Sequence, residues 1–391
     1  MSSTGFARPI TPLDLEYFYT GAYTHPFILP TDVFDFMEVQ KAAGTIETAV
    51  GGVLNRVFGA LLWSQLNTEA NWFGILPKMT WVRSGWRVWY AFSDVDPTTA
   101  AIGETATLPS PVRPEIKMVY DSPKIMVRTF EVTDVVEALA SVSADDVWGA
   151  SYQTRAVEGL TFVKTINRAL GAKVGELPTA WNAFEKIDRI VSKTGEQGFT
   201  AGWEDVHGID RSAETWANSY VDDSATLRPL THDMILNALM NTRKRGGMTN
   251  VIVTGYETYA AMQGMYMTFV RYLPMGETQI QVGVSGIQSA RGLDAGIHVA
   301  SLLGIPLIQS VDTAVGTGSG ELPYIYFLDT SDPEGYGMSR LGISLLRPVE
   351  YFETREFPLL NKFVVKGVYR IVGQTVGRHL PGQGKIRDIT K

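Results

Sequence analysis

Cysteine is absent from this chain of 391 residues. The absence excludes disulfides, cysteine-ligated zinc, iron–sulfur clusters and thiol catalysis. No apolar run is long enough to form a helix that spans a membrane. Residues 1–30 also lack the basic region followed by an apolar run that marks a secretory signal. We therefore expect no membrane partner, and a stability that comes from noncovalent packing within or between chains.

A surplus of basic residues is missing as well. The chain has 34 Lys and Arg against 41 Asp and Glu, a net charge of −7. A protein that reads nucleic acid carries a basic surface, which displaces counterions from the phosphates. The longest basic run is only Arg243-Lys244-Arg245. This balance excludes a dedicated nucleic-acid reader.

Motifs for catalysis or cofactor binding are missing too. The five histidines form no HExxH and no zinc spacing. Residues 316–320 are glycine-rich, but a strand follows them where a dinucleotide site needs a helix, so they predict a hairpin loop. Asp205, His207 and Asp210 form the best local cluster, which we interpret as a polar loop and not a metal site. Three acidic pairs are interpreted as solvated surface: Asp32/Asp35, Asp94/Asp96 and Asp222/Asp223. We predict no enzyme and no cofactor.

What is present is a large supply of apolar and aromatic residues. Hydrophobic residues make up 45% of the chain, aromatic residues 11% and charged residues 19%. These values are typical of a globular chain with a large core and large contact groups. Residues 1–30 read as an extended aromatic arm. Residues 45–66 have helical period and predict a helix in the core or at a subunit interface.

The most unusual stretch runs from Trp86 to Gly171. It begins with an aromatic strand over 86–92, followed by a polar excursion over 94–114. An alternating strand returns over 115–119, and we interpret 125–130 as its extension. A two-stranded arm is at best marginally stable alone, so we expect it to lie on another surface, such as a second copy of the chain.

A long helix over 144–170 follows this arm. Ser143 is a suitable N-cap, and Gly171 is a natural stop. Helical spacing predicts one buried stripe along it, made of Ala156, Leu160, Val163, Asn167 and Leu170.

The rest of the chain alternates helices and strands and then becomes rich in strands. Thr231 caps a helix to Asn241, residues 250–254 read as a buried strand, and Tyr256–Met265 as a helix. Further strands are predicted over 297–301, 305–309, 324–328, 341–346, 349–354 and 363–376. The order favours an α/β or α+β subdomain in the middle of this part.

Four of these segments follow one another in a recognisable order. They are the loop of residues 101–114, its returning strand over 115–125, the turn of residues 132–138 before the long helix, and the hydrophobic-Gly-Ile-Pro-hydrophobic strand of residues 299–307. From about Thr80 onward this succession resembles the major capsid protein of tailed double-stranded DNA viruses, the Hong Kong 97-type phage capsid fold.

The resemblance implies an α+β phage major-capsid fold with five parts. These are an N-terminal arm (1–44), a peripheral domain (45–80 and 131–224) with a spine helix (144–170), an extended β-hairpin loop (81–130), an α/β apical domain (225–337), and return strands with a C-terminal tail (338–391).

The resemblance also implies self-assembly. The expected partners are further copies, arranged as pentamers and hexamers in an icosahedral shell that encloses double-stranded DNA without sequence-specific contact. The expected location is the virion, assembled in the host cytoplasm, with separate scaffold, portal and decoration proteins. Two alternatives stay open: an encapsulin-type nanocompartment shell, and an α/β hydrolase or lyase with an unrecognised site.

Charged residues of the extended loop are the candidate contacts between subunits. Each exposed ion pair contributes ~0–1 kcal/mol, so such pairs would set register more than strength. The candidates are Arg87, Asp94, Asp96, Arg113, Glu115, Lys117 and Arg128.

Overall fold

The computed structural model describes residues 71–91, 113–142, 151–175, 183–200, 202–270, 299–333, 337–354 and 363–391, with residues 45–46, 101, 104 and 335. The predicted N-terminal arm, most of the 45–66 helix and most of the polar excursion therefore lie outside the described residues. Thr45–Ile46 forms a short strand, β1, and not the first turn of the predicted helix. Among the described helices, none combines the length and apolar character that crossing a bilayer requires.

The first sheet has five strands in the order β1, β5, β13, β12, β2. β12 and β13 are its longest strands and pair antiparallel from Leu341 opposite Gly377 to Thr354 opposite Lys366. The two strands predicted over 341–354 are one strand with an irregular register around Arg347. The bounds are β2 Lys78–Thr80, β5 Lys124–Thr133, β12 Leu341–Thr354 and β13 Val364–Gly377.

In the described part of the extended loop, β3 (Gly85–Ala91) and β4 (Glu115–Tyr120) pair as an antiparallel arm. β5 does not continue this arm; it pairs with β13 from Thr133 opposite Val364 to Lys124 opposite Gly373. The interpretation of 125–130 as an extension of the arm was therefore wrong. Alternating apolar residues are equally typical of an arm and of a sheet strand, so the pattern alone could not separate the two.

Three helices pack beside this sheet: α1 (Asn71–Ile75), α2 (Asp134–Val142) and α3 (Ser151–Gly171). The spine helix α3 ends at Gly171 as predicted, and residues 144–150 of the predicted helix lie outside the described residues. Its Phe162 ring stacks on Tyr369 of β13 with centroids 6.0 Å apart. The Tyr369 hydroxyl donates a hydrogen bond of 2.7 Å to the Arg155 carbonyl.

The predicted stripe holds only in the C-terminal half of α3. Val163, Asn167 and Leu170 are buried, but Ala156 is exposed and Leu160 only partly buried. Gly159 lies beside the Tyr369 side chain of β13, where an added Cβ would be 3.0 Å from the hydroxyl oxygen.

The second sheet has six strands in the order β6, β14, β11, β8, β10, β9. Every residue of β8 is buried, as expected for the predicted core strand. β9 and β10 form a hairpin whose turn residues, Leu303 and Gly304, have φ angles of 54° and 79°. The bounds are β6 Tyr220–Asp222, β8 Val251–Thr254, β9 Val299–Leu302, β10 Ile305–Gln309, β11 Ile325–Leu328 and β14 Gly384–Ile386.

Helices α5 (His232–Lys244) and α6 (Tyr256–Val270) belong to this second half of the chain. The Thr231 side chain accepts a hydrogen bond of 3.4 Å from the Met234 amide, which confirms the predicted cap. The remaining short elements are α4 (Ile187–Ile190), a 3₁₀ turn (Thr215–Ala217) and the β7–β15 pair (Arg228–Pro229 with Ile389–Thr390).

A buried ion cluster holds β14 in the second sheet. Lys385 is fully buried, and its ammonium lies 2.7 Å from Asp188 Oδ1 and 2.6 Å from Glu196 Oε1. Arg387 contacts the same Glu196 oxygen at 2.8 Å. The Tyr326 hydroxyl donates a hydrogen bond of 3.0 Å to Asp188 Oδ1. The cluster therefore joins three separate stretches of the chain: α4 and the loop after it, β11, and the segment that contains β14.

Gly171 is a point of close contact between the spine helix and the second half of the chain. A Cβ at this position would overlap the Asp312 carbonyl oxygen and the Trp72 indole. We expect Gly171→Ala to lower the free energy of unfolding by about 1–3 kcal/mol in guanidinium titrations, because a backbone atom must move. Gly74→Ala is the matched control, since among the described residues no atom outside its own helix and its chain neighbours lies within 4 Å of its Cβ position. Equal stability of the two variants would contradict this account.

Candidate intersubunit surface

The β3–β4 arm has two faces of different character. Alternation along the strands places Trp86 and Val88 on one face, where they sit opposite Val119 and Lys117. Arg87 and Trp89 point to the other face with their cross-strand partners. Val119 is 1% exposed, whereas Trp89 is 60% exposed, so only the first face is covered.

The covered face packs on residues 205–217 of the same chain. The Tyr90 ring stacks on Trp216 with centroids 5.2 Å apart. Trp86 meets His207 edge-on at 5.3 Å, and the Lys117 ammonium pairs with the Glu214 carboxylate. The support that a two-stranded arm needs is therefore supplied on one side by its own chain.

His207 fixes the base of the arm. The Gly377 amide donates a hydrogen bond of 3.1 Å to His207 Nε2, so Nδ1 carries the proton and donates to Asp121 Oδ2 at 2.7 Å. Asp121 directly follows β4, and Gly377 ends β13. A neutral imidazole thus joins the arm to the first sheet.

These contacts account for the cluster that the sequence suggested. Asp205 Oδ1 accepts from the Arg211 amide at 3.0 Å, and Asp210 Oδ1 accepts from the Ser212 amide at 2.8 Å. Both carboxylates satisfy backbone donors of their own loop, as the polar-loop interpretation expected. In the part of the chain that the structure describes, no three His, Asp or Glu side chains are grouped as metal ligands would be.

Replacement of His207 tests its role at the arm base. His207→Ala leaves the Gly377 amide without its acceptor and removes the donor to Asp121 Oδ2, while Asp121 Oδ1 keeps the Ser122 amide. An unsatisfied buried group costs about 1–3 kcal/mol. We expect a loss of about 2–4 kcal/mol in the free energy of unfolding, measured by chemical denaturation. His232→Ala removes a half-buried imidazole whose hydrogen bond and ring contact within the described residues are both with Tyr266, and it should cost less. A smaller loss for His207 than for His232 would contradict this role.

The uncovered face of the arm is an exposed apolar surface, which we call the outer face. Large apolar side chains from both strands form it, with Arg87 beside them. Monomeric proteins rarely expose contiguous apolar patches of this kind unless a partner covers them. The apolar members and their exposed fractions are Trp89 (60%), Ile116 (54%), Met118 (53%) and Tyr120 (63%).

Comparison with solved structures finds a similar architecture in viral and GTA capsids. The capsid asymmetric unit of cyanophage A-1(L) matches with a TM-score of 0.57 and 15% identity over 85% of this chain and 96% of that chain. The capsid of a native GTA particle matches with a TM-score of 0.52 and 10% identity over 88% and 98%. The chain has the phage major-capsid fold. The predicted α+β capsid fold is therefore confirmed. Neither a family model nor a curated protein matches the sequence.

Within this capsid fold, the seven charged candidates fall into different settings. Lys117 pairs with Glu214, and Arg128 pairs with Glu158 on the spine helix. Arg87, Arg113 and Glu115 are exposed, and Asp94 and Asp96 lie outside the described residues. Burial and the nearby Glu115 carboxylate raise the pKa of Tyr90. The role of these charges between subunits stays a prediction.

The glycine-rich loop of residues 316–320 packs around the side chain of Glu321, which follows it in the chain. Val315 bridges to Pro323, so the segment folds back as the predicted hairpin loop. The Gly318 amide donates a hydrogen bond of 2.9 Å to Glu321 Oε2. A Cβ on Gly316 would overlap that carboxylate. The glycines thus leave space for a carboxylate of the same chain.

Proposed function

We propose that this chain is a major capsid protein that assembles as pentamers and hexamers into an icosahedral shell around double-stranded DNA. The observation that carries the proposal is the outer face of the arm, which leaves four large apolar side chains uncovered on a chain with the capsid fold. Under this proposal, the protein's role is to form the shell of the virion. The protein has no enzymatic activity.

A protruding arm suits the contacts that a shell requires. Closed rings form when one surface of a subunit contacts a different surface of the next. Full burial of a large apolar side chain contributes about 1.5–3 kcal/mol, so covering a half-exposed one contributes about 1 kcal/mol. In each contact around a ring, the outer face supplies most of the binding free energy. The charged side chains of Arg87, Arg113 and Glu115 fix how neighbouring subunits align.

The charge of the chain supports a DNA container. A net charge of −7 disfavours binding to phosphates, so packaged DNA would not adhere to the wall. Assembly in the host cytoplasm with a separate scaffold, a portal and decoration proteins belongs to the same proposal.

Electron microscopy of the purified full-length protein tests the function. We expect closed particles with fivefold and sixfold capsomers, and nuclease-protected DNA in particles taken from infected cells. Monomers or small oligomers under all conditions of protein concentration, salt and pH would refute the shell. Particles that carry protein cargo and no DNA would instead indicate an encapsulin-type compartment.

A further inference from the structure

A cleft lies between the C-terminal end of the spine helix α3 and the glycine-rich loop. Its volume is about 1080 Å³. This exceeds the ~300–1,000 Å³ of most small-molecule sites and leaves room for an extended peptide segment. Helix residues 164–172 form one wall, and residues 311–318 form the opposite wall.

One side of the cleft is apolar and exposed. Val311 is 56% exposed, Val315 39% and Leu227 37%. All three side chains belong to the lining of the cleft. An apolar or aromatic side chain that entered here would cover surface that now faces water.

Two of the three acidic groups that line the cleft are paired with cations. Asp312 accepts an ion pair of 2.8 Å from Lys164, and Asp388 one of 3.1 Å from Arg387. Glu321 accepts from the glycine-rich loop. Arg168 is exposed in the last turn of α3, and no carboxylate of the described residues lies within ion-pair distance of it. The cleft can therefore take a carboxylate from outside.

Two buried polar atoms on the wall also lack partners. Thr313 is 4% exposed, and neither its Oγ1 nor Glu321 Oε1 has a hydrogen-bond partner among the described residues. Both residues line the cleft. A peptide backbone offers the donors and acceptors that such atoms need.

We propose that this cleft binds residues 13–19 of a second copy of the chain. The segment reads Leu-Asp-Leu-Glu-Tyr-Phe-Tyr, so it alternates two carboxylates with large apolar side chains. Its Asp14 and Glu16 suit Arg168, and its aromatic side chains suit the exposed valines. Nucleic acid suits the cleft less well, because its four basic side chains, Lys164, Arg168, Lys173 and Arg387, are nearly balanced by three carboxylates and leave little net charge to hold phosphates. The choice of a second copy rests on the proposed shell, in which segments that reach a neighbour give directional contacts.

Photocrosslinking in assembled particles tests this contact. Phe18→p-benzoylphenylalanine keeps an aromatic side chain at the probe position, and particles are assembled from a mixture of isotopically heavy and light full-length subunits. We expect crosslinks between heavy and light copies that join position 18 to residues 164–175 or 311–318. Crosslinks to other regions, or only within one copy, would overturn the inference. Particles that form without the expected crosslink would overturn this contact and leave the proposed function standing, whereas a lack of particles from the unmodified chain would refute the proposed function itself.

A charge swap tests the recognition. Arg168→Glu should lower the crosslink yield roughly fivefold, since it replaces an attraction by a repulsion. The combination of Arg168→Glu with Asp14→Lys and Glu16→Lys should restore the yield. Arg243→Glu reverses another exposed arginine near a helix C-terminus and should leave the yield unchanged. An unchanged yield in Arg168→Glu, or no recovery in the combination, would overturn the assigned partner.

Discussion

Replacing Lys385 with methionine is expected to lower the free energy of unfolding by about 3–5 kcal/mol. The ammonium is fully buried and contacts two buried carboxylates, Asp188 and Glu196, and Arg387 supplies the second positive charge of the cluster. Methionine fills much of the same volume but leaves excess negative charge in the core. Removing one partner of a buried pair costs far more than the pair itself contributes, because the remaining charge has no water to solvate it.

Asp188 of this cluster gives the stability of the chain a pH dependence, opposite in sign to that of Glu196, whose pKa is raised by burial. Burial alone would raise the pKa of Asp188, but the Lys385 ammonium and the Val174 amide hold it below its ordinary value. A carboxyl whose pKa is lowered by folding contributes stability above its unfolded pKa and loses that contribution as the pH falls through the folded value. We expect Lys385→Met to lose less free energy of unfolding on acidification than the unmodified chain does, because the ammonium that lowers the pKa of Asp188 is gone.

Guanidinium unfolding of the purified variants measures the effect of Lys385. Lys366→Met is the matched control, because Lys366 pairs with Glu131 at 3.4 Å with the two side chains 35% and 21% exposed. A pair of that kind contributes ~0–1 kcal/mol. A loss below about 1 kcal/mol for Lys385→Met would contradict the structural role of the cluster.

Replacing Trp89 and Ile116 together with serine is expected to abolish assembly at concentrations where the unmodified chain forms shells. The two residues sit opposite each other on the outer face and are 60% and 54% exposed. Loss of about 1 kcal/mol from each removes about 2 kcal/mol per subunit contact. Since 1.4 kcal/mol is a factor of ten, the concentration needed for assembly should rise roughly 30-fold.

Sedimentation and light scattering across a concentration series measure this shift. The unfolding midpoint of the isolated subunit should change little, because both side chains face solvent before assembly. Leu303→Ser is the matched control: Leu303 is 55% exposed but lies on the β9–β10 turn, away from the arm. Assembly of the double variant at the same concentration as the unmodified chain would exclude the outer face as an interface.

The features that sequence predicted well are those coded by neighbouring residues. Thr231 accepts from the helix it precedes, and the apolar run that became β8 needs no distant information to be recognised as a core strand. Gly171 ends the spine helix because the stop signal is local. The order of such elements was sufficient to indicate the capsid fold.

The features that sequence missed depend on distant partners. β14 has three residues and contains a lysine, so its sequence is typical of surface until Asp188 and Glu196 are placed beside it. His207 was assigned to a polar loop with Asp205 and Asp210, but its own hydrogen-bond partners, Asp121 and Gly377, are distant in sequence. The candidate contacts were chosen for charge, whereas the exposed surface of the arm is mainly apolar.

The position of β14 also has a consequence for the order of folding. β14 lies between β6 and β11 in the sheet and pairs with both. Because β14 is near the C-terminus, the sheet stays incomplete until residues 384–386 have been synthesised. Pairings between residues so distant in sequence form slowly. A nascent chain therefore carries its arm and spine helix before it carries a finished second sheet. In a protein that associates with its own copies, this delay would restrict association to completed chains.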